Sequence, residues 1–137
     1  MNLILRHVDA ADETHTRFLY QLLSERTQQQ SISHRKMPSY LEHCLFVASE
    51  PYKAWYIIKS PVSHDFVGSI YLTKQNEIGI FISQEKRGLG LAKAAIEKLM
   101  RLYDGPFLAN INPQNQASID FFEKMGFKQL QVTYVSE

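Results

Sequence analysis

From Asn2 to Val8 apolar and polar side chains alternate closely enough to predict an edge strand, and Asp9 or Asp12 then stands where a helix cap belongs. The helix that follows carries its apolar stripe on Phe18, Leu19, Leu22 and Leu23. Residues 28 to 37 are polar and carry no period, which predicts a loop. A second helix opens at Pro38-Ser39-Tyr40-Leu41-Glu42, with Ser39 and Glu42 at capping-box spacing and an expected buried stripe of Leu41, Cys44, Leu45 and Ala48. Pro51 ends it. Ala54 to Lys59, Phe66 to Thr73 and Glu77 to Ile82 read as three strands joined by short polar turns, an antiparallel meander. A helix from Gly90 to Tyr103 presents Leu91, Ala95 and Leu99 on one face, and Asp104-Gly105-Pro106 stops it. Phe107 to Ile111 reads as a buried strand, Gln116 to Met125 as a last helix and Lys128 to Val135 as a last strand. The predicted order is β-α-α-β-β-β-α-β-α-β, a mixed α/β class.

One junction in this pattern carries chemistry. Ile82-Ser83-Gln84-Glu85-Lys86-Arg87-Gly88-Leu89-Gly90-Leu91-Ala92 leads an apolar strand through a glycine-rich turn directly into a helix. Successive backbone N–H groups in such a turn, with the unpaired donors and the positive dipole end of the helix, make a site for a pyrophosphate. Arg87 adds a fixed positive charge, and Gly88 and Gly90 let the backbone approach an anion without a Cβ in the way. Turn geometry alone is the competing reading of the glycine pair.

The spacing Arg87-x-x-Gly90-x-Ala92 resembles the acetyl-coenzyme A signature of the GNAT superfamily of N-acetyltransferases, Q/R-x-x-G-x-G/A. Downstream, Asn115 followed by a short helix that ends in Lys124-Met125-Gly126-Phe127 resembles that family's second landmark. The resemblance covers Glu77 to Phe127, and the first half of the chain adds only a compatible pattern. It implies a central mixed, mostly antiparallel sheet whose fourth and fifth strands splay apart, flanked by about four helices. It also implies acetyl-CoA as cosubstrate, with the pantetheine arm on backbone groups near Phe81, Ile82 and Ser83. The pyrophosphate would rest on Arg87, Gly88, Leu89, Gly90, Leu91 and Ala92. The implied reaction is direct attack of a neutral primary amine in a ternary complex, with no covalent enzyme intermediate, so Cys44 at a helix core position reads as structural.

Two positions depart from or qualify the family pattern. Many members have Tyr as the proton donor to the leaving thiolate where this chain has Phe122, and a phenyl ring donates no proton. Phe122 also sits at core spacing from Ile119 and Met125. The thiolate then leaves unprotonated, or Tyr71 or Tyr103 serves it, or catalysis is weakened or lost. Asn115 reads equally as a contact to the coenzyme A arm and as the cap of the last helix. Candidate bases are Glu77, at the start of the cofactor-binding strand, His43, beside the stripe of the second helix, and His34, with Tyr40 near in sequence.

Composition narrows the remaining classes. The 137 residues, 45% hydrophobic and 21% charged, are enough for one core, so a single domain over 1–137 is expected. Fifteen basic against 14 acidic residues, scattered along the chain, give a net charge of +1 and no basic field for nucleic acid. One cysteine, no leader pattern in Met1 to His7 and no apolar run of membrane length lead to an expectation of a reducing, cytoplasmic location without a membrane partner. No metal enters the reading. The His-, Tyr- and Ser-rich segment 31–47, with Arg35 and Lys36, suits an anionic acceptor, and its layout before Trp55 loosely resembles N-acetyltransferases of amino-sugar nucleotides. A protein N-terminal amine and a small amine compete with that acceptor. Ten residues follow Phe127 where family members have two strands, so a strand from a second chain, hence a homodimer, is expected to cover the open edge. A non-catalytic acyl-CoA sensor of the same fold is the alternative function.

Overall fold

A computed structural model describes residues 2–26 and 36–137. Five strands form one sheet in the order β1-β2-β3-β4-β5: β1 Ile4–His7, β2 Ala54–Lys59, β3 Phe66–Leu72, β4 Glu77–Ile82 and β5 Leu108–Ala109. The first four pair antiparallel, and β5 joins β4 in parallel, so the sheet is mixed. Helices α1 Glu13–Ser24, α2 Tyr40–Ala48, α3 Leu91–Leu102 and α4 Gln116–Lys124, with a short 3₁₀ turn at Gln84–Lys86, complete the described elements.

Alternation along the central strands divides the core between two faces. Tyr56 and Ile58 of β2, Ile70 and Leu72 of β3 and Ile78 and Ile82 of β4 pack with Ala95, Ile96 and Leu99 of α3. Ile57 points the other way, against Leu19 of α1 and Val47 of α2. Ile57, Ile58, Ile70, Leu72, Ile96 and Leu99 are all but inaccessible to solvent. Each such side chain stabilises the fold by about 1.5–3 kcal/mol. Because helices cover both faces, β2 and β3 read as nearly continuous apolar runs rather than strict alternation.

Local chemistry sets the helix starts. Asp12 accepts the N–H of Thr14 and caps α1. At α2 the capping box forms as the spacing predicts: Glu42 N–H donates to Ser39 Oγ at 3.1 Å, and Ser39 N–H donates to Glu42 Oε1 at 2.9 Å. The Ser39 backbone N–H, and after it the Ser39 side chain, favour the charged form and hold the Glu42 carboxyl below its ordinary range.

Three expectations about elements are corrected. The stripe expected to bury α2 faces outward instead, with Leu41 69% and Leu45 64% exposed and Ala48 also exposed. The buried face is one residue further round the helix, at His43 and Val47. Contacts from α1 set that rotation: the Tyr20 hydroxyl donates to the Pro38 carbonyl at 2.7 Å, Thr16 and Tyr40 share a hydroxyl bond at 3.0 Å, and Tyr20 packs on both Tyr40 and His43. The strand expected over 107–111 shortens to two residues, because Asn110 turns its amide to Glu77 and Pro113 follows with no N–H to offer a ladder. The segment Lys128 to Val135 lies in no strand, and its apolar Leu130, Val132, Tyr134 and Val135 are exposed. The open edge beyond β4 is therefore that of β5 itself.

Candidate active site

The centre of the site is the place where β4 and β5 part. Their parallel pairing is limited to Glu77 with Leu108 and Ile78 with Ala109. Beyond Ile78 a cavity of about 310 Å³ opens between them, floored by β4 and walled by residues 109–112 and by Asn115, Ser118 and Phe122 of the α4 region. This is the splay that the resemblance implies.

Strand geometry decides which backbone groups face this opening. In an antiparallel ladder, alternate residues bond to one neighbour, and those between them point away from it. Thr73 N–H donates to the Glu77 carbonyl and Ser83 N–H to the Val67 carbonyl, both at 2.9 Å, so the pairs at 77, 79, 81 and 83 serve β3. Ile80 and Ile82 therefore turn their backbone groups toward β5. Of the three positions expected to present unpaired groups, Ser83 is committed to Val67, and Phe81 contributes its side chain to the cavity wall. Ile82 keeps the expected orientation, although its carbonyl accepts from Arg87 Nε and is not unpaired. Ile80 is the position that sequence reasoning missed, and the strand period counted back from Ile82 would have found it.

At the far end of β4 the chain passes through a 3₁₀ turn, Gln84–Lys86, then Arg87, and reaches α3 through Gly88 at φ 82° and Gly90 at φ 76°. Both angles lie in the left-handed region that glycine alone enters freely. A Cβ placed on either glycine would meet no atom within 4 Å, so the space above the turn is open to a ligand. Gly90 is the N-cap of α3, and the first turn, Leu91 to Lys93, carries no acidic residue. Open backbone, a helix N-terminus and no competing carboxylate fit an anion such as a pyrophosphate. Arg87 is exposed at the mouth, its Nε donating to the Ile82 carbonyl at 3.2 Å and its guanidinium 5.2 Å from the Phe81 ring centre. Leu89 is exposed, as suits a position where backbone does the binding.

At the near end of β4 stands Glu77, half-buried in the cavity wall. One carboxylate oxygen accepts from Thr73 Oγ1 at 3.0 Å, and the other accepts from Asn110 Nδ2 at 2.5 Å. These donors fix the carboxylate's orientation from both sides of the splay. Beside it, Tyr71 lies flat across Gly79: a Cβ there would fall 1.9 Å from the Tyr71 ring, so only glycine admits this packing. Tyr71 stacks face to face on Tyr52 at 3.9 Å, and burial with Tyr71 as neighbour pushes the Tyr52 hydroxyl well above its usual range. Tyr71 thus reaches the cavity, whereas Tyr103 pairs its hydroxyl with Tyr56 and is not among the cavity's lining residues.

Asn115 combines its two readings: its Oδ1 accepts from Ser118 N–H at 3.2 Å as the cap of α4, and the residue also lines the cavity. Phe122 is buried at the cavity wall, edge-on to Phe121 and Phe127. Cys44 is half-buried on α2 and does not line the cavity. His34 lies outside the described residues.

His43 is placed away from the cavity, 5% exposed between Tyr20 and Tyr40 on the face that α2 turns to α1. Desolvation lowers its pKa, and a bond to the Thr16 backbone offsets only part of this. The consequence is for stability. A histidine held neutral in the fold takes up a proton more readily once unfolded, so its contribution is complete above the ordinary histidine pKa and falls as pH drops below it. The thermal midpoint of His43→Phe is expected to fall less between pH 7 and pH 5 than that of the unmodified chain. Parallel slopes in a melting series would remove this role.

Among the described residues no cluster of three or more His, Cys, Asp or Glu is placed to hold a metal ion, and no helix is long and apolar enough to cross a membrane.

Comparison with known proteins agrees with this geometry. The profile of the acetyltransferase (GNAT) domain matches residues 2–128. The chain is 37% identical over 62 residues to the peptidyl-lysine N-acetyltransferase YjaB of Salmonella typhimurium, and 33% identical over 63 residues to the protein of that name from Escherichia coli. Each match covers 45% of this chain and 42% of the relative, so the aligned stretch spans less than half of either protein. A domain from Methanocaldococcus jannaschii superposes with a TM-score of 0.78 at 20% identity, over 95% of this chain and 90% of that one. A variant of the spermidine N-acetyltransferase SpeG from Vibrio cholerae superposes with a TM-score of 0.72 at 17% identity, over 94% and 81%. These two structures share the fold, and with the profile spanning nearly all of it, the chain belongs to the GNAT acetyltransferase family.

Proposed function

We propose that this chain moves an acetyl group from acetyl-CoA to a primary amine, with both substrates bound together in the splay between β4 and β5. The observation that carries this reading is the parting of β4 from β5 after Ile78, on a strand whose far end runs into an open glycine turn. Ile80 turns its backbone groups to the opening that begins at Glu77, Ile82 has the same orientation further along β4, and an unobstructed glycine turn follows at the N-terminus of α3. Ile80 and Ile82 would hold the pantetheine arm as an added strand, and the turn from Arg87 to Ala92 would hold the pyrophosphate. When bound, acetyl-CoA supplies an activated acetyl thioester to which a neutral amine adds directly.

The residues of the chain have the remaining work. Glu77 accepts the ammonium proton on a carboxylate oxygen, directly or through one water, with Thr73 and Asn110 holding its orientation. An N–H of β4 that faces the opening donates to the oxygen on which negative charge develops. Phe122 keeps the wall dry and moves no proton, so Tyr71, the phenolic hydroxyl in the cavity lining and more acidic than the Thr73 and Ser118 alcohols there, would protonate the leaving sulfur. Lysine side chains in peptides and polyamines, the acceptors for which the relatives are named, stand with amino-sugar nucleotides and protein N-termini as classes to test.

The decisive experiment is calorimetric titration of the protein with acetyl-CoA, followed by measurement of free thiol as amines of each class are added. Saturable binding with amine-dependent thiol release is the expected result. Binding without release from any amine would favour the acyl-CoA sensor, the reading that Phe122 at the tyrosine position supports. Absence of binding would remove the site.

A further inference from the structure

Arg26 has no part in the proton transfer or in the glycine cradle, yet it lines the same cavity. It directly follows Glu25, the C-cap of α1, whose Oε1 accepts from Gln84 N–H at 2.7 Å. That bond ties the end of α1 to the end of β4 and fixes where Arg26 leaves the helix. Its guanidinium stands 5.3 Å from the Phe81 ring centre, and Arg87 stands 5.2 Å from the same centre.

Two cations thus share one aromatic ring. Among the described residues neither has a carboxylate within 4 Å, the ion pairs there being Asp12 with His15 and Glu13 with Arg17. Glu25 turns its carboxylate to Gln84 N–H and does not line the cavity, and the one acid among the described lining residues, Glu77, lies four residues down β4 from Phe81, roughly 13 Å away at the rise of a strand. The other polar lining groups are neutral hydroxyls and amides such as Tyr71, Thr73, Asn110 and Ser118. The cleft is therefore polarised, with a carboxylate near β5 and an unneutralised guanidinium near the α1 end. Arg26 is exposed at that end of the cleft, where its guanidinium favours a carboxylate or phosphate oxygen and disfavours a second cation.

We infer that Arg26 selects the acceptor: it binds an anionic group, carboxylate or phosphate, carried by a small-molecule primary amine whose nitrogen points toward Glu77. This rests on the acetyltransferase reading, and it separates this cleft from one built for a polyamine, which would bring positive charge to Arg26.

The test uses matched probes and reads binding as well as turnover. Glucosamine 6-phosphate against glucosamine, and β-alanine against ethylamine, are titrated into the protein saturated with coenzyme A. The anionic member of at least one pair is expected to bind at least tenfold more tightly. Which pair shows the preference distinguishes phosphate from carboxylate. Arg26→Ala should erase the preference and Arg26→Glu should reverse it in favour of spermidine, while acetyl-CoA affinity stays within about twofold. Equal binding of both members in both pairs, a preference that survives in Arg26→Ala, or tighter binding of spermidine or a lysine peptide to the unmodified protein would each overturn the assignment. A tenfold loss of acetyl-CoA affinity in Arg26→Ala would move Arg26 to the cofactor and likewise overturn it. Failure of the acetyltransferase reading shows separately, as absence of thiol release despite selective binding.

Discussion

Replacing Gly90 by valine is expected to weaken acetyl-CoA binding at least about 100-fold, equivalent to about 2.7 kcal/mol, while the protein remains folded. Gly90 holds φ at 76° at the N-cap of α3, with no atom within 4 Å of where a Cβ would go. A β-branched residue in the left-handed region costs about 1–2 kcal/mol in backbone strain, which a core of this size tolerates. Binding suffers more, for two reasons that add. The side chain enters the space that a pyrophosphate would fill, and relief of the strain turns the first N–H groups of α3 away from it. Gly126 supplies the control. It has φ 93° and equally open surroundings, but it follows α4 and does not line the cavity. Gly126→Val should lower the melting temperature about as much as Gly90→Val and leave affinity for acetyl-CoA unchanged. Equal affinities in all three proteins, measured by calorimetry, would place the pyrophosphate elsewhere.

Glu77→Gln carries the second large effect: kcat at neutral pH should fall by about 10²- to 10⁴-fold, the range usual for loss of a positioned general base. Acetyl-CoA affinity should hardly change, since Glu77 sits at the opposite end of β4 from the glycine turn. The substitution is nearly isosteric, and its carbonyl oxygen still accepts from Thr73, so a fall in kcat without a fall in stability reports lost proton transfer rather than lost structure. Asn110→Ala offers the graded comparison. It removes one donor to the carboxylate and leaves the base in place, so a smaller loss is expected. Should Glu77→Gln turn over at the unmodified rate, the base lies elsewhere and His34 becomes the next residue to replace.

The parts of this protein that were legible in its sequence are those set by short-range chemistry. Ser39 and Glu42 satisfy each other's backbone donors across three residues, so the start of α2 follows from the spacing alone. Arg87, Gly88 and Gly90 specify a turn that needs two left-handed residues next to a helix start, and the backbone there adopts them. The first five strands came through in order because runs such as Trp55 to Ile58 are short, aromatic and β-branched between turn residues, which favours strand over helix.

What sequence could not supply depended on partners distant along the chain. The rotation of α2 is settled by Tyr20 and Thr16 of another helix, which outweigh the apolar appeal of Leu41 and Leu45. Whether Ser83 or Ile80 offers its amide to a ligand depends on the register of β4 against β3, and one bond, Ser83 to Val67, decides it for the strand. Glu77 is a candidate base on sequence alone, but its carboxylate is oriented by Asn110, 33 residues away, and Arg26 enters the cleft through Glu25 and Gln84, 59 residues apart. The segment 128–135 has the alternation of a strand and no partner in the described sheet, so it forms none. Local sequence sets the conformations that a few residues satisfy by themselves; which faces, amides and charges then meet in the cleft is set by long-range pairing, where a shift of one residue turns every group to the opposite side.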